Sequence, residues 1–343
     1  VLLEYELSER KKFGPRSIAK PWNKRQGDVL SYFKAKKSVV SPEVKNVIDL
    51  VRKDSAELRP IKISNAVKLL KNNTNAGLPY YVKKGKIKSE LIQKFDELIS
   101  RKDPCILFTR TQEGNKTRTV WGYPVADTLN EMMYYKPLLD YQKEKFWRSA
   151  LKGPEAVDLA ITKIIKEALA MNKFLVSADF SSFDATIGEI LIILAFEYVK
   201  SLYQKGCHKD LDYIRERFVN IPLVTPSGIF RGKHGVPSGS TFTNEVDSLV
   251  QYLVALSSGL IDSELIQIQG DDGVYVIDKE RFDELVEIFT KAGLIMNKDK
   301  SYLSNEYVIY LRNLYHIDYS NNGVIGGIYP TYRALTRLVY QER

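Results

Sequence analysis

Apolar residues recur in short helical patterns through the first hundred positions, and basic loops such as VKKGKIK (82–88) separate them. SPEVKNVIDLVRKD (41–54) predicts a helix with Ser41 as N-cap and Pro42 at its first position. ADTLNEMMYYKPLLDYQKEKFWRS (126–149) predicts helices interrupted at Pro137, and GPEAVDLAITKIIKEALAMN (153–172) predicts one more. The pattern then changes. KFLVSADFSSFDAT (173–186) predicts a buried strand from Phe174 to Ala178, ending at Asp179 and a Ser-rich turn that carries Asp184. GEILIILAFEYVKSLY (188–203) returns to helix. HGVPSGSTFTNEVDSLVQYLVALSSG (234–259) is a Gly/Ser/Pro loop running into an apolar helix.

IQIQGDDGVYVI (266–277) predicts a hairpin, with DG as the two-residue connection. KERFDELVEIFTKAGL (279–294) places Phe282, Leu285, Val286 and Phe289 on one helical face, with Gly293 as C-cap. The order strand, helix, helix, hairpin, helix, strand predicts an α+β fold, a small antiparallel sheet backed by helices in the split βαβ arrangement.

Composition narrows the functional classes. The chain has 343 residues, 44% hydrophobic and 27% charged, enough to bury a substantial core. It carries no apolar run of membrane-spanning length, and its first residues lack the order of a signal peptide, so no membrane partner is expected. The initial Val suggests a fragment or a processed chain. Cys105 and Cys207 form no CxxC, and His208, His234 and His316 show no ligand spacing, which disfavours disulfides and zinc. The net charge of +9 is uneven: residues 1–120 hold 27 Lys and Arg against 13 Asp and Glu, while the remaining 223 hold 24 against 29. Such asymmetry points to a polyanionic partner such as nucleic acid.

The adjacent Asp271 and Asp272 raise the question of what offsets their repulsion. Two readings fit: a polar turn, or a site for divalent cations that needs a third carboxylate. Asp179, at the end of its strand, is the candidate third. Three such oxygen donors could hold two hard cations about 3.5–4 Å apart, and Mg2+ also takes substrate phosphates. Asp184 would lie beside that site, able to accept a bond from a ribose 2′-hydroxyl. Ser238 and Gly239 suggest a flexible backbone with free N–H groups before a helix N-terminus, suited to a nucleotide or template backbone. In that helix Thr243 and Asp247 share one face, and Asn244 and Ser248 the neighbouring one.

DFSSFD (179–184), SGSTFTN (238–244) and GDD (270–272), in this order and spacing, resemble the A, B and C motifs of viral RNA-dependent RNA polymerases, most like the picobirnavirus and partitivirus branch. The resemblance spans roughly residues 70–335 and implies a right-hand polymerase. Its helical fingers would take residues 1–172 with an insertion at 188–232, the palm 173–187 and 233–318, and the start of a largely missing thumb 319–343. It implies metal ligation by Asp179, Asp271 and Asp272, with two Mg2+ ions for which Mn2+ can substitute. Substrate contacts would come from Asp184, Ser238, Gly239, Thr243 and Asn244.

NTNAGLPYYVKK (73–84), around Gly77 and Pro79, resembles the template-entry motif. RTQEGNKTRTVWGYP (110–124) resembles the fingertip motif, which gives Arg118, then Lys116 and Arg110, the triphosphate. AGLIMNKDKS (292–301) resembles the D motif, with Lys300, in preference to Lys298, protonating the leaving pyrophosphate. YLRNLY (310–315) resembles the primer grip, with Arg312 on a backbone phosphate. Many relatives carry Asn where this chain has Asp247. The implied partners are template and product RNA, ribonucleoside triphosphates and a viral capsid protein, in the virion interior or host cytoplasm. Alternatives are a truncated or non-catalytic RNA-binding scaffold, and a reverse transcriptase, against which Asp184 argues.

Overall fold

A computed structural model describes residues 1–15, 18–53, 57–112, 116–298 and 300–340. At its centre lies a four-stranded sheet in the spatial order Ile266–Gln269, Asp272–Ile277, Phe174–Ala178, Tyr302–Ser304, every neighbouring pair antiparallel. With the helices Thr243–Ser257 and Phe282–Ala292 interleaved along the chain, this is the split βαβ order expected from the sequence.

The sheet is covered on both faces. Val176, Ile268, Tyr275 and Ile277 join a core with Leu191, Phe196, Leu249 and Phe289 from the helices Glu189–Leu202, Thr243–Ser257 and Phe282–Ala292. Leu175, Val274 and Val276 face the other way, against Ile161, Ile164 and Ile165 of the helix Pro154–Ala170. Double-sided burial explains why these strands read as near-continuous apolar runs rather than as alternating ones.

A second sheet was not foreseen. Cys105–Thr111 and Thr117–Gly122 form an antiparallel hairpin, and Leu223–Thr225 adds in parallel, followed by Gly228–Phe230. The stretch that resembles the fingertip motif is thus mostly strand, with Arg110 directly opposite Arg118.

The helix Val125–Lys143 runs straight through Pro137, correcting the expected interruption. Pro137 has no N–H for the Met133 carbonyl four residues back, and the Ile61 N–H takes that carbonyl instead at 3.0 Å. The same helix carries Asp127, which holds Arg217 through two bonds of 2.7 and 2.8 Å. The helix predicted over 41–54 runs from Val44 to Lys53, and Asp54 lies outside the described residues. Ser41 does accept the Glu43 N–H (3.3 Å), but in a turn before the first helical residue. Gly293 caps the helix Phe282–Ala292 in the left-handed region, as expected.

Candidate active site

Two neighbouring strands of the central sheet deliver the carboxylates. Phe174–Ala178 pairs with Asp272–Ile277 through Ala178 opposite Gly273, so Asp179 leaves one strand where Asp272 enters the other. The connection between Ile266–Gln269 and Asp272–Ile277 is Gly270–Asp271, not the DG that the sequence suggested, because Gln269 pairs with Asp272. Gly270 supplies the positive φ (+66°) that a two-residue turn needs at its first central position. The Asp179 N–H donates to Ser301 Oγ (3.2 Å), and its carbonyl accepts from the Asn297 N–H (2.8 Å).

The carboxylates act on one another. Burial pushes Asp272 up to about 7, helped by Asp271 and Asp179 and opposed by Arg312. Asp179 is raised by the partial burial of its carboxyl, while Lys300, then Lys116, pull it back and Asp271 pushes it up. Asp184, on the short turn of helix Phe183–Thr186, is pushed up to about 6 by burial and by Asp271, against Arg118. Asp247 is buried and hydrogen-bonded to Asp184; burial and the Asp184 charge raise it well above the ordinary carboxylate range.

The basic groups expected at the site sort themselves. Arg118 and Lys116 are within electrostatic reach of Asp184 and Asp179 respectively. Lys298 pairs with Asp283 at 2.5 Å, whereas Lys300 acts on Asp179. Arg312 occupies a tight turn with positive φ between Tyr307–Tyr310 and Asn313–His316. Its charge reaches Asp272, and its carbonyl accepts from the Tyr5 hydroxyl (3.0 Å).

The loop before the helix Thr243–Ser257 is packed, which corrects the expectation of a flexible backbone. Ser238 Oγ accepts from the Trp121 N–H (3.2 Å), and a Cβ on Gly239 would stand 1.7 Å from the Trp121 carbonyl oxygen. Both residues therefore tie the loop to the strand that carries Arg118. The Ser240 hydroxyl and Thr241 N–H donate to the buried Glu131 carboxylate at 2.7 and 2.6 Å. Thr243 Oγ1 donates to the Pro237 and Ser240 carbonyls. Asn244 Oδ1 accepts from Gln269 Nε2 (2.8 Å), beside the carboxylate turn. Next to it the fully buried Glu245 takes Arg148 at 3.0 Å and Gln142 at 2.8 Å, anchoring the helix start.

Gly77 and Pro79 belong to a separate turn. Gly77 has φ +67°, and a Cβ there would meet the Tyr123 carbonyl oxygen at 2.5 Å, so this turn docks at the foot of the same hairpin.

Glu131 and Gln251 were not singled out, and Ser248 was named only as sharing a face with Asn244. The signal for Ser248 and Gln251 lay in TNEVDSLVQYLVALS, where polar residues at 244, 248 and 251 interrupt a helix buried on nearly every side.

Among the described residues, no three carboxylate, imidazole or thiol groups stand together as a ready-made metal cage. The donor chemistry fits a hard divalent cation nonetheless. Asp179, Asp271 and Asp272 offer only oxygen, and burial raises Asp179 and Asp272, a cost that a bound divalent cation would offset. No helix among the described residues is long and apolar enough to cross a membrane.

Residues 19–322 match the family described as viral RNA-dependent RNA polymerase. The chain is 31% identical to the potential RNA-dependent RNA polymerase of human picobirnavirus over 370 aligned positions, covering all of this chain and 69% of that protein. It is 26% identical to the RNA-directed RNA polymerase of Cryptosporidium parvum virus 1, across 73% of this chain and 53% of the relative. The crystal structure of a human picobirnavirus RNA-dependent RNA polymerase superposes with a TM-score of 0.88 at 28% identity, covering the whole chain and 70% of its counterpart.

Proposed function

The chain belongs to the viral RNA-dependent RNA polymerase family, and from that premise we propose that it adds ribonucleotides to an RNA 3′-hydroxyl under the direction of an RNA template. The observation that carries this reading is that Asp271 acts on Asp179, Asp184 and Asp272, carboxylates from segments far apart in the chain, with Arg118, Lys116 and Lys300 within electrostatic reach of them.

In this reading residues 1–172 and 188–232 form the fingers, 173–187 and 233–318 the palm, and 319–343 the start of a thumb. Asp179, Asp271 and Asp272 would hold two Mg2+ ions, or Mn2+ in their place, whose chemistry is to activate the attacking hydroxyl and to offset charge on the leaving pyrophosphate. Arg118, Lys116 and Arg110 grip the triphosphate; guanidinium pairs with phosphate oxygens in a fixed fork, which orients the α-phosphorus for in-line attack.

Asp184 accepts from the ribose 2′-hydroxyl and Asp247 holds it in place, with Thr243 and Asn244 shaping the pocket floor. Ser238 and Gly239 contribute by fixing the loop against the Arg118 strand. Lys300 Nζ gives a proton to the departing pyrophosphate. Gly77 and Pro79 line the template path, and Arg312 steadies the primer end next to Asp272. RNA template, RNA product and ribonucleoside triphosphates are the partners, with a viral capsid protein around the enzyme, in the virion interior or host cytoplasm.

Incorporation on a primed RNA template tests the reading. The wild-type chain should add ribonucleotides in preference to deoxyribonucleotides and only with Mg2+ or Mn2+ supplied, and Asp271→Asn should lower the rate by about 10²-fold or more. Tight RNA binding with no incorporation by the wild type would replace it with an RNA-binding scaffold.

A further inference from the structure

Asp271 and Asp272 sit between two glycines, Gly270 and Gly273, and one buried helix face governs both. Asn244, Ser248 and Gln251 follow one another at i, i+4 and i+7 on Thr243–Ser257, so they project toward the same side. Ser248 Oγ accepts the Gly270 N–H at 2.8 Å. Its own proton goes to the Asn244 carbonyl (2.7 Å), which leaves a lone pair aimed at the turn. Gln251 Nε2 donates to the Gly270 carbonyl at 3.0 Å. Its Oε1 accepts from the Tyr275 hydroxyl at 2.5 Å. A reversed amide would set Oε1 against the Gly270 oxygen, so this orientation is fixed.

The glycines follow from the same contacts. A Cβ on Gly270 would stand 2.9 Å from Asn244 Nδ2, and one on Gly273 would stand 1.9 Å from Gln251 Oε1. Ser248 and Gln251 are both fully buried, with 0% exposure, so no water can replace either bond if it is lost.

We propose that Ser248 and Gln251 are positioning residues that hold the Gly270 peptide by its N–H and its carbonyl and so set where Asp271 and Asp272 stand. Neither touches substrate. Their helix begins at Thr243 and Asn244 and also carries Asp247, so movement at the sugar-reading end is transmitted to the carboxylate turn through two hydrogen bonds. The consequence for rate deepens the polymerase reading and rests on it; the hold on the turn does not.

Two variants of the full chain separate the possibilities. Ser248→Ala removes one acceptor with little change in volume. Gln251→Glu keeps the shape and the acceptor for Tyr275, but can donate to Gly270 only while protonated. Amide hydrogen exchange of the 266–273 segment, read against the rest of the chain, should accelerate by about tenfold or more in Ser248→Ala, the equivalent of ~1.4 kcal/mol lost at a buried bond. In Gln251→Glu it should accelerate at neutral pH and return toward the wild-type rate as pH falls, a recovery that general loosening would not produce. Under the same conditions kcat should fall by about 10- to 100-fold with KM for the triphosphate within about twofold, because the geometry of the reacting groups is lost and triphosphate binding is kept. Wild-type exchange rates in both variants would overturn the hold on the turn, and accelerated exchange with unchanged kcat would overturn the positioning role. A wild type that exchanges as expected but incorporates nothing would sink the polymerase reading and leave the hold on the turn standing.

Discussion

The family resemblance implies Asn at the position of Asp247. Burial and the Asp184 charge raise Asp247, and in its neutral form it would donate to Asp184 as an amide does. Deprotonation as pH rises would set a second negative charge against Asp184. Asp247→Asn should therefore hold the ratio of kcat/KM for ribonucleotides over deoxyribonucleotides within about threefold of wild type, while Asp247→Leu, which cannot donate, should lower it by about tenfold or more. Glu131 poses the related case of a carboxylate raised to about 7 by burial in spite of bonds from Ser240 and Thr241. The folded protein keeps a proton that the unfolded chain has released above 4.5, so this stabilisation is complete below pH 4.5 and disappears as pH rises through about 7. Neutral Glu131 can donate to Ser240 while accepting from Thr241, a pattern that Gln reproduces. Urea midpoints from pH 5 to 8 should show Glu131→Gln gaining on wild type as pH rises, by an amount of the order of 3 kcal/mol at the alkaline end. Asp179, Asp184, Asp271 and Asp272 were legible because charges in turns stand out from apolar runs. Glu131 was not, since its partners lie 109 and 110 positions away in sequence.

Elements were legible where their periodicity was local. The strand Phe174–Ala178 and the helix closed by Gly293 follow from runs and caps that need no knowledge of neighbours. Pro137 misled because the residue that compensates for it, Ile61, lies in another part of the fold. The hairpin Cys105–Gly122 was hidden by its basic, threonine-rich character, which reads equally well as a solvated loop. Its pairing has a measurable consequence, since it sets Arg110 and Arg118 opposite each other, where one triphosphate would meet both. Triphosphate should raise the melting temperature of the wild-type chain, by the equivalent of about 2.7 kcal/mol at a hundredfold excess over Kd, and Arg118→Ala should abolish most of that rise in a thermal-shift titration. An equal rise in both would remove the hairpin from the phosphate site.

At the scale of the molecule, the uneven charge and the sheet order belong together. From the basic excess of residues 1–120, Lys12, Lys116 and Arg118 act on the acidic centre at Asp179 and Asp184, a relation visible in the sequence as a count but not as a shape. What the sequence could not display was adjacency. Phe174–Ala178 has both of its sheet partners, Asp272–Ile277 and Tyr302–Ser304, on its C-terminal side in the chain. During synthesis this apolar strand must therefore emerge from the ribosome with both edges open, and wait for more than a hundred further residues before it is fully paired. A chain ended by a stop codon near residue 260 should pellet on centrifugation or be held by chaperones, whereas one reaching residue 340 should remain in the supernatant. Premature termination would then leave an aggregating fragment instead of a weakly active enzyme, and translation would yield either the assembled centre or nothing usable.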